Sequence, residues 1–351
     1  MTAAADTADD VRTPKARAAL AFASSFTICL LAAGALSITL FGRPHHAAVD
    51  LDLPAPAGAK KAALPAATAS AAPPAPTNQV TQTVRAGSAL IADPALIENT
   101  AQGPLPRIAD DGRKPMTAYA GPAAGGAKFR IAIVVSGLGI SASATKLALD
   151  SLPAGVTLGF APYAGDAGDW AAKARARGHE VLLEIPMEPF DFPDSDPGPH
   201  TLRAGQDEEA NIQRLTWALS RFTGYAGVTN LLGQRFLSDS AALSPMLTYL
   251  NRRGLYFFDN GAASQSVTAT VGAQVGMPLV ASGPPVDNIQ SALEIDRHLS
   301  ELETQARANG SAVGSAFVYP VSLSRIAAWA KGLQSRGFVL VPVSAIVTAP
   351  K

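Results

Sequence analysis

The chain has 351 residues, and its 28 Lys and Arg balance its 28 Asp and Glu. A zero net charge excludes a global field that would steer nucleic acid or an anionic surface, so no nucleic-acid partner is expected. The single cysteine, Cys29, excludes an intramolecular disulfide, and a domain of this size buries enough surface to fold without one.

Residues 1–17 form a polar tail in which acids come first and Arg12, Lys15 and Arg17 follow. Ala18 to Gly42 then runs for 25 residues without a charge. At ~1.5 Å per residue, a helix of that length crosses a hydrocarbon core of ~30 Å. Basic residues in a short N-terminal tail keep that end in the cytoplasm and send the remainder outside. The expectation is a single-pass inner-membrane protein with a periplasmic C-terminal domain. A cleaved signal peptide is the alternative.

Residues 43–125 read as a Pro/Ala-rich linker. Leu53-Pro-Ala-Pro-Ala-Gly and Ala71-Ala-Pro-Pro-Ala-Pro favour extended backbone and bury little. Its last part, residues 88–120, carries Leu90, Ile91, Leu96 and Ile97 and reads as a partly ordered lead-in to the domain.

The domain proper spans residues 126–351 and is organised around Phe129 to Gly139. A near-continuous run of Ile and Val ending in a Gly-rich turn is the pattern of a strand buried on both faces. Comparable runs recur at Val156–Ala161, Glu180–Ile185, Gly227–Leu232, Leu255–Asp259, Pro278–Ala281, Ala312–Phe317 and Phe338–Val343. Helical stripes separate most of them. Ile212, Leu215, Leu219 and Phe222 share one face of a helix opened by Asp207, Glu208 and Glu209, where negative charge suits the dipole. Leu243, Met246, Leu247 and Leu250 form another, with Ser244 expected as N-cap and Pro245 in the first turn. Ile289 to Ala306 and Leu323 to Leu333 form two more, stopped by Gly310 and Gly337. Alternating strands and helices predict an α/β fold: a distorted parallel (β/α) barrel of about seven to eight strands. An open doubly wound sheet is the alternative, weakened by the lack of a Gly-x-Gly-x-x-Gly after the first strand.

In a parallel barrel the C-terminal strand ends meet on one face. Those ends hold Ser136, Tyr163, Glu184, Glu188, Asn230 with Arg235, Asp259 with Asn260, Asp287 with Asn288, and Tyr319. Carboxylates, amides, a guanidinium and a phenol on one face suit hydrogen bonding to a sugar or a peptide. Glu184, Glu188 and Asp259 are the candidate catalytic groups. Asn230, Arg235, Asn260 and Tyr319 are the candidate substrate-binding groups. Each also has a structural reading: the Asn and Asp residues close turns, and Arg235 pairs with Asp259 or Glu184. Among the five histidines, His179 is expected to be structural and His298 solvated, and no two in the domain share metal-ligand spacing. No metal site and no cofactor are therefore assigned. A divalent ion such as zinc would have few ligands.

The stretches Gly178-His-Glu-Val-Leu-Leu, Pro186-Met-Glu-Pro, Asp196-Pro-Gly-Pro, Gly227-Val-Thr-Asn, Gly233-Gln-Arg-Phe, Arg253-Gly-Leu-Tyr-Phe-Phe-Asp, Tyr319-Pro and Val341-Pro-Val-Ser-Ala stand in this order. Together they resemble the divergent polysaccharide deacetylase family, distant relatives of the NodB-type carbohydrate esterases. The resemblance implies a distorted (β/α) barrel, a carbohydrate substrate class and, in metal-dependent relatives, hydrolysis of an N-acetyl group by metal-bound water. The chain departs from the family pattern at the chemistry. Ser136 and Gly137 stand where the family commonly has Asp-Asp, Glu184 and Leu231 stand where it has His, and Phe317 and Val318 precede Tyr319-Pro. Asp259 matches an acidic family position. The expectation is a membrane-anchored, periplasmic protein that binds envelope polysaccharide such as peptidoglycan through a degenerate metal site. An active N-deacetylase or other carbohydrate hydrolase is the alternative. A non-catalytic scaffold for envelope proteins is the third reading.

Overall fold

The computed structural model describes residues 92–123 and 128–347, all within the unit Thr81–Lys351. The expected membrane span at 18–42 and most of the linker lie outside the described residues. Within them, no helix is long and apolar enough to cross a membrane.

From residue 92 onward the lead-in has defined structure. A 3-10 turn at Pro94–Leu96 is capped by Asp93, whose carboxylate accepts from the Ala95 N–H. An antiparallel hairpin of β1 (Ile97–Thr100) and β2 (Gly103–Pro106) follows, and then a single helical turn, α1 (Pro115–Ala118).

The domain then alternates strand and helix: β3 (Phe129–Leu138), α2 (Ala142–Ser151), β4 (Thr157–Phe160), α3 (Ala167–Ala176) and β5 (Val181–Met187). After these come α4 (Glu208–Leu219), β6 (Gly227–Leu232), α5 (Ser240–Arg252), β7 (Tyr256–Asp259), α6 (Thr268–Val275) and β8 (Leu279–Ala281). The chain closes with α7 (Ala292–Asn309), β9 (Ser311–Phe317), α8 (Pro320–Lys331) and β10 (Phe338–Leu340). All eight strands from β3 onward pair in parallel, in the order β3-β4-β5-β6-β7-β8. β9 covers one edge of β3 from Arg130 to Ser136. β10 takes the other edge at Phe129–Ile131, ahead of the stretch that β4 pairs with. Sequential parallel strands whose last members return to the first make a near-closed barrel, so the open-sheet alternative falls away.

The barrel is open at one seam. Among the described residues β8 and β9 form no ladder, and the segment after β8 bridges them instead. The Val286 N–H donates to the Ser315 carbonyl (2.8 Å), and the Phe317 N–H donates to Asp287 Oδ2 (2.8 Å). The Ser322 hydroxyl donates to the same Asp287 oxygen (2.6 Å), tying in α8.

The Ile/Val run of β3 is continuous because both faces are buried. Ile131, Ile133 and Val135 pack outward against the helices, in one cluster with Leu215, Leu247, Leu299 and Leu323. Ala132 and Val134 point inward, in a second cluster with Leu182, Tyr256, Phe258 and Val341. α5 corrects the expected cap. The helix begins at Ser240, where the Asp239 carboxylate accepts from the N–H groups of Ala241 and Ala242, and Pro245 lies inside it. The helix tolerates the proline because its apolar face, Leu243, Met246, Leu247 and Leu250, is buried in the core, and tertiary packing supplies most of a helix's stability.

Leu96, Ala109 and Tyr119 of the lead-in join the inner cluster, so the lead-in closes the N-terminal end of the barrel. Glu180, fully buried at the start of β5, receives the donors that converge there: the Tyr256 hydroxyl (2.8 Å), the Thr157 hydroxyl (3.3 Å), the Ser344 N–H (3.1 Å) and the Gly121 N–H (2.9 Å). Glycine suits position 121, because a Cβ would lie 2.9 Å from Pro342 and 3.0 Å from Glu180 and would displace one of them. Glu180→Ala would leave several buried donors unpaired and is expected to lower stability by about 3 kcal/mol or more, read as a shift in the denaturant midpoint. An unshifted midpoint would contradict this account of how that end is closed.

Candidate functional site

The register of β3 against β4 shifts between Val135 and Leu138, which places a β-bulge at Ser136–Gly137. Gly137 takes φ +88°, a left-handed conformation that favours glycine. The bulge brings the Gly137 N–H onto Glu184 Oε1 of β5. The contact crosses β4 at Gly159, where a Cβ would come within 3.1 Å of both Glu184 Oε1 and Ser136 Oγ. A glycine inside a strand marks close approach of this kind.

Glu184 is completely buried, and its pKa is pushed up to about 8 by desolvation, offset in part by the Gly137 N–H. It is therefore a neutral carboxylic acid at neutral pH. Its Oε2 has no hydrogen-bond partner among the described residues, nor have the buried hydroxyls of Ser136 and of Thr229, its register partner on β6. The other strand-end residues are knitted into their own loops. Asn230 donates to the Leu232 carbonyl (2.7 Å) and to Asn260 Oδ1 (2.9 Å), and it accepts from the Asn260 N–H (3.0 Å). This interlock supports Leu232 at φ +57°, the one positive-φ residue other than glycine among the described residues. Glu188 Oε1 lies 3.4 Å from Arg235, and its Oε2 accepts from the Ala204 N–H (2.7 Å). Arg235 thus pairs with Glu188, not with Asp259 or Glu184.

Asp259 shares the helix-facing side of β7 with Phe257 and serves the loop after the strand. Its Oδ2 accepts from Ser266 and Thr268 (2.6 Å each), and its Oδ1 accepts from the Gly261 N–H (3.1 Å). Tyr319 stands at the N-cap position of α8 without a capping side-chain bond and is 37% exposed, with its ring 5.9 Å from that of Phe317. The structure thus brings Asn230 to Asn260 and Glu188 to Arg235. It sets Glu184 with Ser136 and Thr229, and leaves Asp259 and Tyr319 in their own loops.

Thr229, Gly159 and the Ser266–Thr268 pair were missed by sequence reasoning. Only Gly159, a glycine inside an apolar run, carried a signal. His179 is structural as expected: it is buried, with Nδ1 2.9 Å from the Val156 carbonyl. His298 is not simply solvated, because its Nδ1 sits 2.9 Å from the Val286 carbonyl on the seam segment.

The loops of this face also carry most of the exposed large apolar side chains among the described residues. Ile140 follows β3, Tyr163 follows β4, Phe190 follows β5, Ile289 follows β8 and Tyr319 follows β9. Tyr163 is braced, since its hydroxyl accepts from the His200 N–H (3.3 Å) and its ring meets Trp217 at 5.3 Å.

Comparison with known proteins decides the family. The model of the divergent polysaccharide deacetylase family matches residues 133–347. The chain belongs to this family. A crystal structure of the ATU2773 protein from Agrobacterium tumefaciens C58 superposes with a TM-score of 0.68 at 40% identity, covering 70% of this chain and all of that one. The YibQ protein of Escherichia coli K12 is 24% identical over 195 residues, 55% of this chain and 60% of its own length. A Haemophilus influenzae protein is 21% identical over 207 residues, 59% of this chain and 73% of its own length. The chain thus spans less than two thirds of the Escherichia coli relative.

Membership raises the question of a divalent ion. Among the described residues no group of three or more His, Cys, Asp or Glu side chains is placed to hold one. The groups facing one another beneath the mouth are two hydroxyls and a carboxyl held neutral, whereas a tight zinc site uses deprotonated carboxylates, imidazoles or thiolates. The donor set does not fit such an ion.

A carboxyl whose pKa rises from 4.5 unfolded to about 8 folded binds its proton more tightly in the native state. Its contribution to stability is full below the unfolded value and is lost as pH rises through about 8. Glu184→Gln is therefore expected to flatten the fall in stability between those values and to gain on the order of 2 kcal/mol at the upper end. Urea midpoints measured across that range check it, and parallel profiles for the two proteins would count against a neutral Glu184.

Proposed function

We propose that this protein binds a cell-envelope glycan, such as peptidoglycan, at the C-terminal face of its barrel, without metal-dependent hydrolysis. The observation that carries the reading is the fate of the three candidate catalytic carboxyls. Glu184 is buried and neutral, Glu188 is held by Arg235 and Ala204, and Asp259 is held by Ser266, Thr268 and Gly261. The exposed groups on that face are instead the rings of Tyr163, Phe190 and Tyr319, the aliphatic Ile140 and Ile289, and a half-exposed Arg235, with its side chain 52% accessible. Flat amphipathic rings with a few hydrogen-bonding groups suit a polyhydroxylated chain, which presents apolar faces and polar edges.

Placement of the lead-in supports the same reading over a scaffold with a filled mouth, because it packs at the opposite end of the barrel. We further propose that Ala18–Gly42 anchors the chain in the inner membrane and that the domain is periplasmic. Retention in the membrane fraction after alkaline extraction tests the anchor; release into the soluble fraction would remove it.

Arg235→Ala and Tyr319→Ala remove exposed groups and are expected to spare folding. Each should weaken retention on purified sacculi, by several-fold singly and by about tenfold or more together. Undiminished retention of the double variant would sink this face as the binding surface. Acetate release from N-acetylglucosamine oligomers by the wild-type chain, lost in Glu184→Gln, would instead favour a hydrolase that uses the neutral Glu184 as an acid.

A further inference from the structure

The loops leaving β7 and β8 frame an open cavity of about 570 Å³ beside the barrel mouth, within the range of small-molecule sites. Its lining includes the hydroxyls of Ser264, Ser266, Thr268 and Ser282 and the amide of Asn288, over alanine and proline carbon. The one ionisable group is Asp259, with both oxygens already engaged by Gly261, Ser266 and Thr268. No cation and no free anion therefore faces the space. Such a wall offers nothing to a phosphate or a metal ion, and much to a neutral ligand rich in hydroxyls. The Ser264 hydroxyl and the Asn288 amide make no hydrogen bond among the described residues, so both are available to a guest.

The cavity is preformed. The Ser282 N–H donates to the Asp259 carbonyl (2.9 Å), and the Ser315 hydroxyl donates to the Asn260 carbonyl (2.5 Å). The two loops also clasp so closely that a Cβ on Gly261, at φ +75°, would lie 1.8 Å from the Gly283 carbonyl oxygen. Gly283 itself has open space on its Cβ side, with no atom within 4 Å. Little ordering entropy remains to be lost when a ligand enters a pocket held in this way.

We propose that this cavity is a subsite for one neutral, polyhydroxylated sugar residue of the glycan, offset from the barrel axis and formed by the β7 and β8 loops. The proposal rests on the glycan-binding reading, and its test separates the two. Gly283→Trp places an indole in the open space at a position that is neither left-handed nor crowded. Ser264→Ala and Asn288→Ala remove the two available polar groups. The probes are N-acetylglucosamine oligomers, followed by calorimetry with the full chain, and purified sacculi.

Gly283→Trp is expected to weaken binding of both probes at least about tenfold with an unchanged thermal midpoint, and the Ser264→Ala, Asn288→Ala double variant several-fold. If Gly283→Trp binds as the wild type does while Arg235→Ala with Tyr319→Ala loses binding, the subsite is overturned and the glycan reading stands. If the wild-type chain binds neither probe, both fall.

Discussion

One strand carries the tension on which this barrel is built. β5 and the residue before it turn two glutamates into the interior, one just ahead of the strand and one at its middle. At the N-terminal end, Glu180 collects donors from β4, β7, the lead-in and the segment after β10. Midway along β5, Glu184 has a single donor, the Gly137 N–H, and remains neutral. The same residue type, four positions apart on one strand, is a fully satisfied junction in one place and an unsatisfied acid in the other. A buried polar group costs stability unless it is paired, so the first can hold a structure closed, while the second marks a place where stability was not the constraint.

The open seam between β8 and β9 follows the same logic on a larger scale. A ladder there would have closed the barrel with backbone alone. Closure is instead delegated to the Asp287 carboxyl, which serves β9 and α8 together, and to a backbone bond from Val286 to Ser315. The β7 and β8 loops are thereby freed from a regular sheet edge and fold against each other around Asp259.

Much of the fold was legible in the chain. The run from Phe129, the apolar stripe of Leu243, Met246, Leu247 and Leu250, and the stop signal at Gly310 all correspond to observed elements, whereas the last helix ends at Lys331 with Gly332 as its cap and Gly337 closes only the short 3-10 turn Gln334–Arg336. These signals are local: periodicity and glycine conformational freedom act over a few residues. Pro245 misled because its preference for a first turn is also local, while the true cap, Asp239, lay one turn earlier. The polar residues at the strand ends were also visible as a set. Their partners were not, because Asn230 meets Asn260 and Glu188 meets Arg235 only after long stretches of chain have folded.

The sequence by itself determined that parallel strands would alternate with amphipathic helices and that polar groups would gather at one end of the strands. Spacing and side-chain type suffice for those statements. Only the tertiary structure decided which carboxyls are free. Whether Glu184 is charged depends on the desolvation it suffers beneath the mouth and on a bulge in a strand 47 residues away in sequence. Whether Asp259 faces a ligand depends on the hydroxyls its own loop turns back upon it. Charge state and orientation are properties of an environment, and the environment exists only once the barrel has closed.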